Sequence, residues 1–206
     1  MRPDFTILTT LWDTEDHLIK LIDSVLEQTH QSWELRILAD GPHPATRERM
    51  AKLQTFDDLR GRLHYSERTR FEGCVGNLLR GWGIREAAGK NICGSGHDWS
   101  LYRDYRGTHW QHLQDQECLS VVHINHWHAN DKKFARYGRF PVKDPNEVQS
   151  GEIDLTCFAC PTRFALQVNA FDESVKYRYD ADFDTFDRLR RVLPVVCSPK
   201  VCAAHF

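Results

Sequence analysis

The chain carries no excess of either charge. Its 27 basic and 29 acidic residues leave a formal net charge of −2, which gives no electrostatic reason to expect a nucleic-acid or membrane-surface partner. Long apolar runs are also missing, and nothing approaches the roughly 20 residues that a membrane helix needs. There is no repeat, no low-complexity stretch and no obvious linker. The first residues, MRPDFTILTTLWD, place an acid before a short apolar run and lack a small-residue cleavage site, which argues against a secretory leader. Paired cysteine spacing is absent too: seven cysteines are an odd number at irregular intervals, as expected of reduced structural thiols in a cytoplasmic protein. Cys157 and Cys160 form a C-x-x-C that zinc could take together with Cys197 and Cys202, but the C-x4-C half and the apolar setting LTCFACP argue against it. A redox C-x-x-C opens a helix after a strand, whereas here Pro161 is expected to open one after the second cysteine.

What the chain does have is alternation. At 206 residues and 41% hydrophobic content it suits one domain with a real core. FTILTT reads as a buried strand. The helix after it has Asp13 or Thr14 as cap, Glu15 and Asp16 in its first turn, and Leu18, Leu21, Ile22, Val25 and Leu26 on one face. ELRILAD reads as a second strand ending in the turn DGPHP, ATRERMAKLQTF as an exposed helix and RLHYSE as a third strand. A helix with Val75, Leu78, Leu79 and Trp82 on one face runs to about Gly89, and the strand KNIC leads into GSGHDW. Such alternation implies parallel strands with helical crossovers. Ligands of such sheets sit beyond the carboxyl ends of the strands, where Thr10, Asp40 and Asp98 fall. The second half is less regular. WSLYRDYRGTHWQHLQ reads as helix and loop, LSVVHINHWHAN as a strand, and a loop follows to about Ser150. EIDLTCFAC is an expected strand, PTRFALQV a helix with Pro161 first, DADFDTFDRLRR a helix with Phe183 and Phe186 inward, and VLPVVCS the last strand.

These stretches resemble the family-two glycosyltransferases with the GT-A fold. That family's first strand, amphipathic helix, Ser-x-x-x-Gln-Thr and strand ending in Asp-Gly correspond to TLWD at 10–13, SVLEQTHQSWEL at 24–35 and ILADG at 37–41. Its Gly-Ile-x-x-Ala-x-Gly, strand and Asp-x-Asp correspond to GIREAAGKNICGSGHD at 83–98. Its Phe-Asp-Glu and Glu-Asp-x-Asp correspond to FDE at 171–173 and ADFDTFDR at 181–188. Residues 100–150 match nothing specific. The resemblance implies an α/β, GT-A-type nucleotide-diphospho-sugar transferase fold. Its mainly parallel central sheet is flanked by helices, with a nucleotide-binding half at 1–99 and a mixed, acceptor-binding half at 100–206.

It also implies roles. Departure of a diphosphate calls for a divalent ion, Mn²⁺ or Mg²⁺, as Lewis acid. Asp98 stands at the metal-binding acid, Gly96 at the missing first acid, and His97 lies between them, on the donor side. His205 is a second candidate ligand, as in GT-A enzymes that return a C-terminal histidine to the metal. Asp40 would accept from the uracil N–H, Thr10 and Trp12 would line the base and ribose, and Arg80 would reach the donor. Gly81 replaces the asparagine that usually follows it. Asp182 stands at the general base, with Asp180 as a second candidate and Ala181 in place of the usual Glu. Asp154, expected early in a strand facing the cleft, is assigned to a sugar hydroxyl or the acceptor. The run His123, His126, Trp127, His128 is assigned to the acceptor surface. Each has a plain alternative: a turn aspartate for Asp98, a junction plug for Trp12, a frayed tail for His205, an acidic helix start for Asp182.

The expectation is therefore a cytoplasmic, metal-dependent, inverting hexosyltransferase that uses a UDP-sugar and a hydroxyl acceptor, a glycan. The rivals are a nucleotide-sugar-binding protein without turnover and, more weakly, a Cys/His zinc protein. A sugar-nucleotide pyrophosphorylase is disfavoured, because TLWDTEDH is acidic where that class has a basic glycine-rich loop.

Overall fold

The computed structural model describes residues 2–12, 16–70, 76–128, 136–141, 143–172 and 181–205. The expected cap residues Asp13 and Thr14, Glu15, Val75 and the second base candidate Asp180 lie outside this set, as do the side chains of His126, Trp127 and His128.

The first half follows the alternation closely: β1 (Phe5–Leu11), α1 (Asp16–Leu26), β2 (Trp33–Ala39), α2 (Pro44–Leu53), β3 (Leu63–Glu67), α3 (Asn77–Glu86) and β4 (Asn91–Gly96). These four strands are parallel, in the order β3-β2-β1-β4. β1 and β2 are covered on both faces and buried along nearly their whole length, which is why they read as continuous apolar runs. On α1, Leu18, Leu21, Ile22 and Val25 are buried, while Leu26 packs partly buried against the core.

The buried face of α3 differs from the expected one. It is formed by Leu79, Gly83 and Ile84, with Leu78 and Trp82 half-buried. A Cβ at Gly83 would run into the side chains of Leu38 and Leu8, so the helix lies tight on β1 and β2 only because that position is bare. The fourth strand also runs longer than KNIC. GSG belongs to β4, and only His97 and Asp98 form the turn into β5 (Trp99–Leu101).

The second half contains α4 (Tyr105–Leu113), β6 (Leu119–His128), β7 (Arg136–Phe140), β8 (Phe158–Pro161), α5 (Thr162–Gln167), α6 (Ala181–Arg190) and β9 (Val195–His205). Short 3-10 turns cover Pro145–Glu147 and Leu155–Cys157. β5, β7 and the first of these turns occupy stretches expected as loop. β8 begins only at Phe158, because residues 155–157 wind instead. Pro161 closes β8 and precedes α5 rather than lying inside it. β9 continues past Ser198 to His205.

The whole forms one sheet in the order β3-β2-β1-β4-β8-β6-β9-β5, with β7 on β6. β8 runs antiparallel to β4 and β6, while β6 and β9 are parallel. β5 is antiparallel to β9, with Trp99 opposite His205. This is the mixed α/β architecture that the resemblance implied.

Two polar anchors set the joints. Ser24 Oγ accepts from Leu101 N (3.1 Å), Gln28 Nε2 donates to Tyr102 O (2.8 Å), and Gln28 Oε1 accepts from Arg106 N (3.1 Å), tying α1 to β5 and α4. Glu34 Oε1 accepts from Thr6 Oγ1 (2.6 Å) and Ala88 N (2.7 Å), tying β1 and β2 to the α3–β4 junction. The six described cysteines are all free, and five of them are buried. Among the described residues no helix is long and apolar enough to cross a membrane.

Candidate active site

The carboxyl ends of β1, β2 and β4 open onto a cavity of about 300 Å³. Thr10, Trp12, Asp40, Arg80, His97 and Asp98, each expected on the donor or metal side, all line it. Asp40 directly follows β2 and lines the cavity, only 4% exposed, with its backbone N–H bonded to Leu11 O (2.8 Å). Gly41 follows at φ 88°, a left-handed turn that frees the chain to leave the strand there. Trp12 lines the cavity and is 49% exposed. Leu11 and Leu79 supply apolar wall.

The glycine before α3 was not singled out in the sequence. Gly76 caps the helix at φ 79° and lines the cavity, and a Cβ there would stand 2.9 Å from Thr10 Oγ1. The first turn of α3, whose N–H groups find no partner inside the helix, therefore begins beside the cavity, as suits a phosphate. A glycine just ahead of an apolar helix was the available signal.

Asp98 and His205 meet at the cavity's other side. Their Oδ2 and Nε2 atoms are 2.8 Å apart. Pairing of β9 with β5 fixes His205, which stacks at a tilt on Trp99 with ring centroids 5.1 Å apart; it is a strand residue and not a frayed tail. Burial works against the Asp98 carboxylate, but the His205 hydrogen bond and charge, with the charge of His97, outweigh it and hold the group below its ordinary range. The bond to Asp98 raises His205, against the opposing effect of burial.

Gly96 explains why the motif has a single acid. A Cβ there would lie 2.5 Å from Asp98 Oδ1 and 2.7 Å from Trp99 Cδ1, so the first acid's place is already filled. Two ligands at right angles, each about 2.1 Å from a small divalent ion, stand about 3 Å apart. The Asp98–His205 spacing fits neighbouring ligands on one ion. Among the described residues no group of three or more His, Cys, Asp or Glu side chains is placed to hold a metal, and this covers the cysteine set considered for zinc.

Arg80 links the cavity to the acids of the second half. Its Nη1 is 3.5 Å from Asp182 Oδ1, in the first turn of α6. Asp154 does not line the donor cavity. It caps the 3-10 turn Leu155–Cys157, with Oδ1 accepting from Thr156 N at 2.7 Å. Burial and the neighbouring Asp182 push the Asp154 carboxyl up to about 7, against the Thr156 N–H and Arg80. His123 lies on β6 opposite Val201 of β9.

The Glycosyl transferase family 2 model matches residues 6–174. No curated protein sequence matches significantly. Among solved structures, S. aureus TarS 1-349 superposes with a TM-score of 0.73 at 10% identity, covering 98% of this chain and 60% of that one. The Pyrobaculum calidifontis mannosyltransferase PcManGT, in complex with GDP-Man and Mn²⁺, gives 0.70 at 15%, covering 100% and 57%. GalNAc-T7 with UDP, GalNAc and Mn²⁺ gives 0.74 at 12%, covering 98% and 44%. At such identities the likeness shows the fold, and the chain spans less than two thirds of each of these proteins. The family match covers most of the chain, and with the shared GT-A fold it leads to one assignment: the chain belongs to glycosyl transferase family 2.

Proposed function

We propose that the chain transfers a hexose, with inversion, from a nucleotide sugar to a hydroxyl acceptor, that the donor is UDP-linked, and that the acceptor is a glycan. The observation that carries this reading is the convergence at one end of the sheet. Asp40, the Asp98–His205 pair and Asp182 come from four separate parts of the chain, and Arg80 spans from the donor cavity to Asp182.

In this reading Asp40 accepts from the imino N–H of the base, and Trp12 stacks on it. The N–H groups at the start of α3 meet the diphosphate. Asp98 and His205 would hold a divalent ion, which when bound neutralises the departing diphosphate as a Lewis acid. Asp182 takes the proton of the acceptor hydroxyl. The acceptor oxygen then bonds to the anomeric carbon from the face opposite the diphosphate, as the carbon–oxygen bond to phosphate breaks.

Calorimetry of UDP with and without Mn²⁺ tests the donor half. UDP should bind wild type more tightly with Mn²⁺, and Asp98→Ala should lose the Mn²⁺ increment, roughly tenfold or more in affinity. UDP binding indifferent to both Mn²⁺ and Asp98→Ala would overturn the metal assignment. The second reading, a donor-binding protein without turnover, draws on Gly96 and Ala181, which stand where the family carries acids. It predicts UDP binding without release of nucleotide from any donor.

A further inference from the structure

A second cavity, of about 460 Å³, opens at the other end of β4 from the donor cavity. Asn91 at the start of β4 and Pro161, its partner at the end of β8, line it. Gly96 at the donor cavity stands five residues along β4 from Asn91, roughly 16 Å away. Trp110 of α4 and residues 114–117, which follow that helix, also line it. Trp110 is half-buried; its ring packs on His30 with centroids 4.9 Å apart and meets Phe5 edge to face at 6.2 Å. Asn91 Nδ2 donates to Asp4 O (3.1 Å) and Arg2 Nε to Ala88 O (2.7 Å), so the lining is held in place before any ligand arrives.

Arg2, Lys90 and Arg163 bring positive charge to this cavity, but each already has an acceptor. Arg2 Nη2 donates to Gly89 O (3.1 Å), Lys90 Nζ donates to Asp4 Oδ1 (2.9 Å), and Arg163 pairs with Glu117. Asp115 adds a further negative charge. A phosphate would have to compete with these groups, whereas an uncharged ligand need not. Gln114 and Gln116 offer amides that both donate and accept, and the two carboxylates accept. Sugar hydroxyls also do both, and the C–H face of a sugar ring can lie on an indole. An indole beside amides and carboxylates therefore suits a neutral carbohydrate better than an anion.

We propose that the Trp110 cavity is an accessory carbohydrate-binding site, which holds a non-reacting stretch of the glycan acceptor. Its role towards the acceptor rests on the transferase reading; its capacity to bind carbohydrate does not. Because the cavity lies well away from the donor site, a glycan that engages both is an oligosaccharide and not a single sugar. Holding the chain at Trp110 raises the local concentration of its other end at the transfer site.

The test is NMR of the tryptophan indole N–H groups in the whole chain, with the Trp110 signal assigned through Trp110→Phe. Neutral oligosaccharides of glucose, mannose, galactose and N-acetylglucosamine are titrated in turn, then inorganic phosphate, then UDP. At least one oligosaccharide should move the Trp110 signal saturably, while phosphate and UDP leave it in place. Replacing the exposed side chains in Gln114→Ala and Gln116→Ala should weaken that binding roughly fivefold at an unchanged melting temperature. A Trp110 signal that no oligosaccharide moves, or that phosphate moves instead, would overturn the proposal. So would a saturable shift that neither glutamine variant weakens. Release of nucleotide from a donor with no carbohydrate effect at Trp110 would sink the accessory site and leave the transferase reading standing. Carbohydrate binding at Trp110 in a chain that releases nucleotide from no donor would keep the site and overturn its role towards an acceptor.

Discussion

At the scale of single residues, Asp98 and His205 stand 2.8 Å apart, and in the proposed reading both are ligands of one divalent ion. A proton on His205 therefore competes with the ion. His205 sits above its ordinary 6.5 because Asp98 favours its charged form. A ligand must be deprotonated to bind, so Mn²⁺ affinity should fall as pH drops through the raised value, starting above 6.5. Calorimetric Mn²⁺ titrations from pH 8 to 6 in the presence of UDP check this, and an affinity flat across that range would contradict it. Gly96 carries the opposite of the usual expectation for a motif. Restoring its acid as Gly96→Asp should not improve the site, because the new Cβ meets Asp98 Oδ1 and Trp99. The variant should lose roughly 1–3 kcal/mol of stability and bind Mn²⁺ more weakly; tighter binding at unchanged stability would refute the packing argument. The residue types at 40, 98 and 182 were legible because their motifs are short and local. The reason for Gly96 was not, since it depends on where two other side chains point.

At the scale of elements, the βα repeat was readable because each helix buries one stripe and each inner strand buries both faces. Three features escaped. α3 buries Gly81 and Gly83, which an apolar pattern does not flag, while Trp82 is only half-buried. A three-residue strand, β5, carries no periodic signal. The run of β9 to His205 depends on partners distant in sequence, β6 and β5. Glu34 shows what such joints are worth. Its burial opposes ionisation, but hydrogen bonds from His64, Thr6 and Ala88, with the Arg36 charge, bring its carboxyl down from 4.5 to about 2. A depressed carboxyl adds stability that is fully present above 4.5 and is lost as pH falls from there towards 2. Glu34→Gln should thus be less stable than wild type at pH 7 by about 3 kcal/mol, with the gap roughly halved near pH 3. Denaturant unfolding at the two pH values checks this, and an equal gap at both would show that the charge is not the cause.

At the scale of the molecule, a parallel half and a mixed half share one sheet, and the candidate site residues meet where β1, β2 and β4 end. Strand order places Asp40 and Asp98 there; only the return of β9 brings His205, and only α6 brings Asp182 within reach of Arg80. The architecture, the GT-A fold and the family were legible from ordered motifs. The capping place of Asp154 was not, because a winding turn replaced the expected strand. The account's central claim is sugar transfer from a nucleotide donor, and release of nucleotide from a panel of sugar nucleotides tests it most directly, with water as a poor acceptor and Mn²⁺ or EDTA present. The account predicts release from a UDP-sugar with Mn²⁺, abolished by EDTA, by Asp98→Ala and by Asp182→Asn. UDP binding with no release from any donor, or release indifferent to EDTA and to both variants, would contradict it.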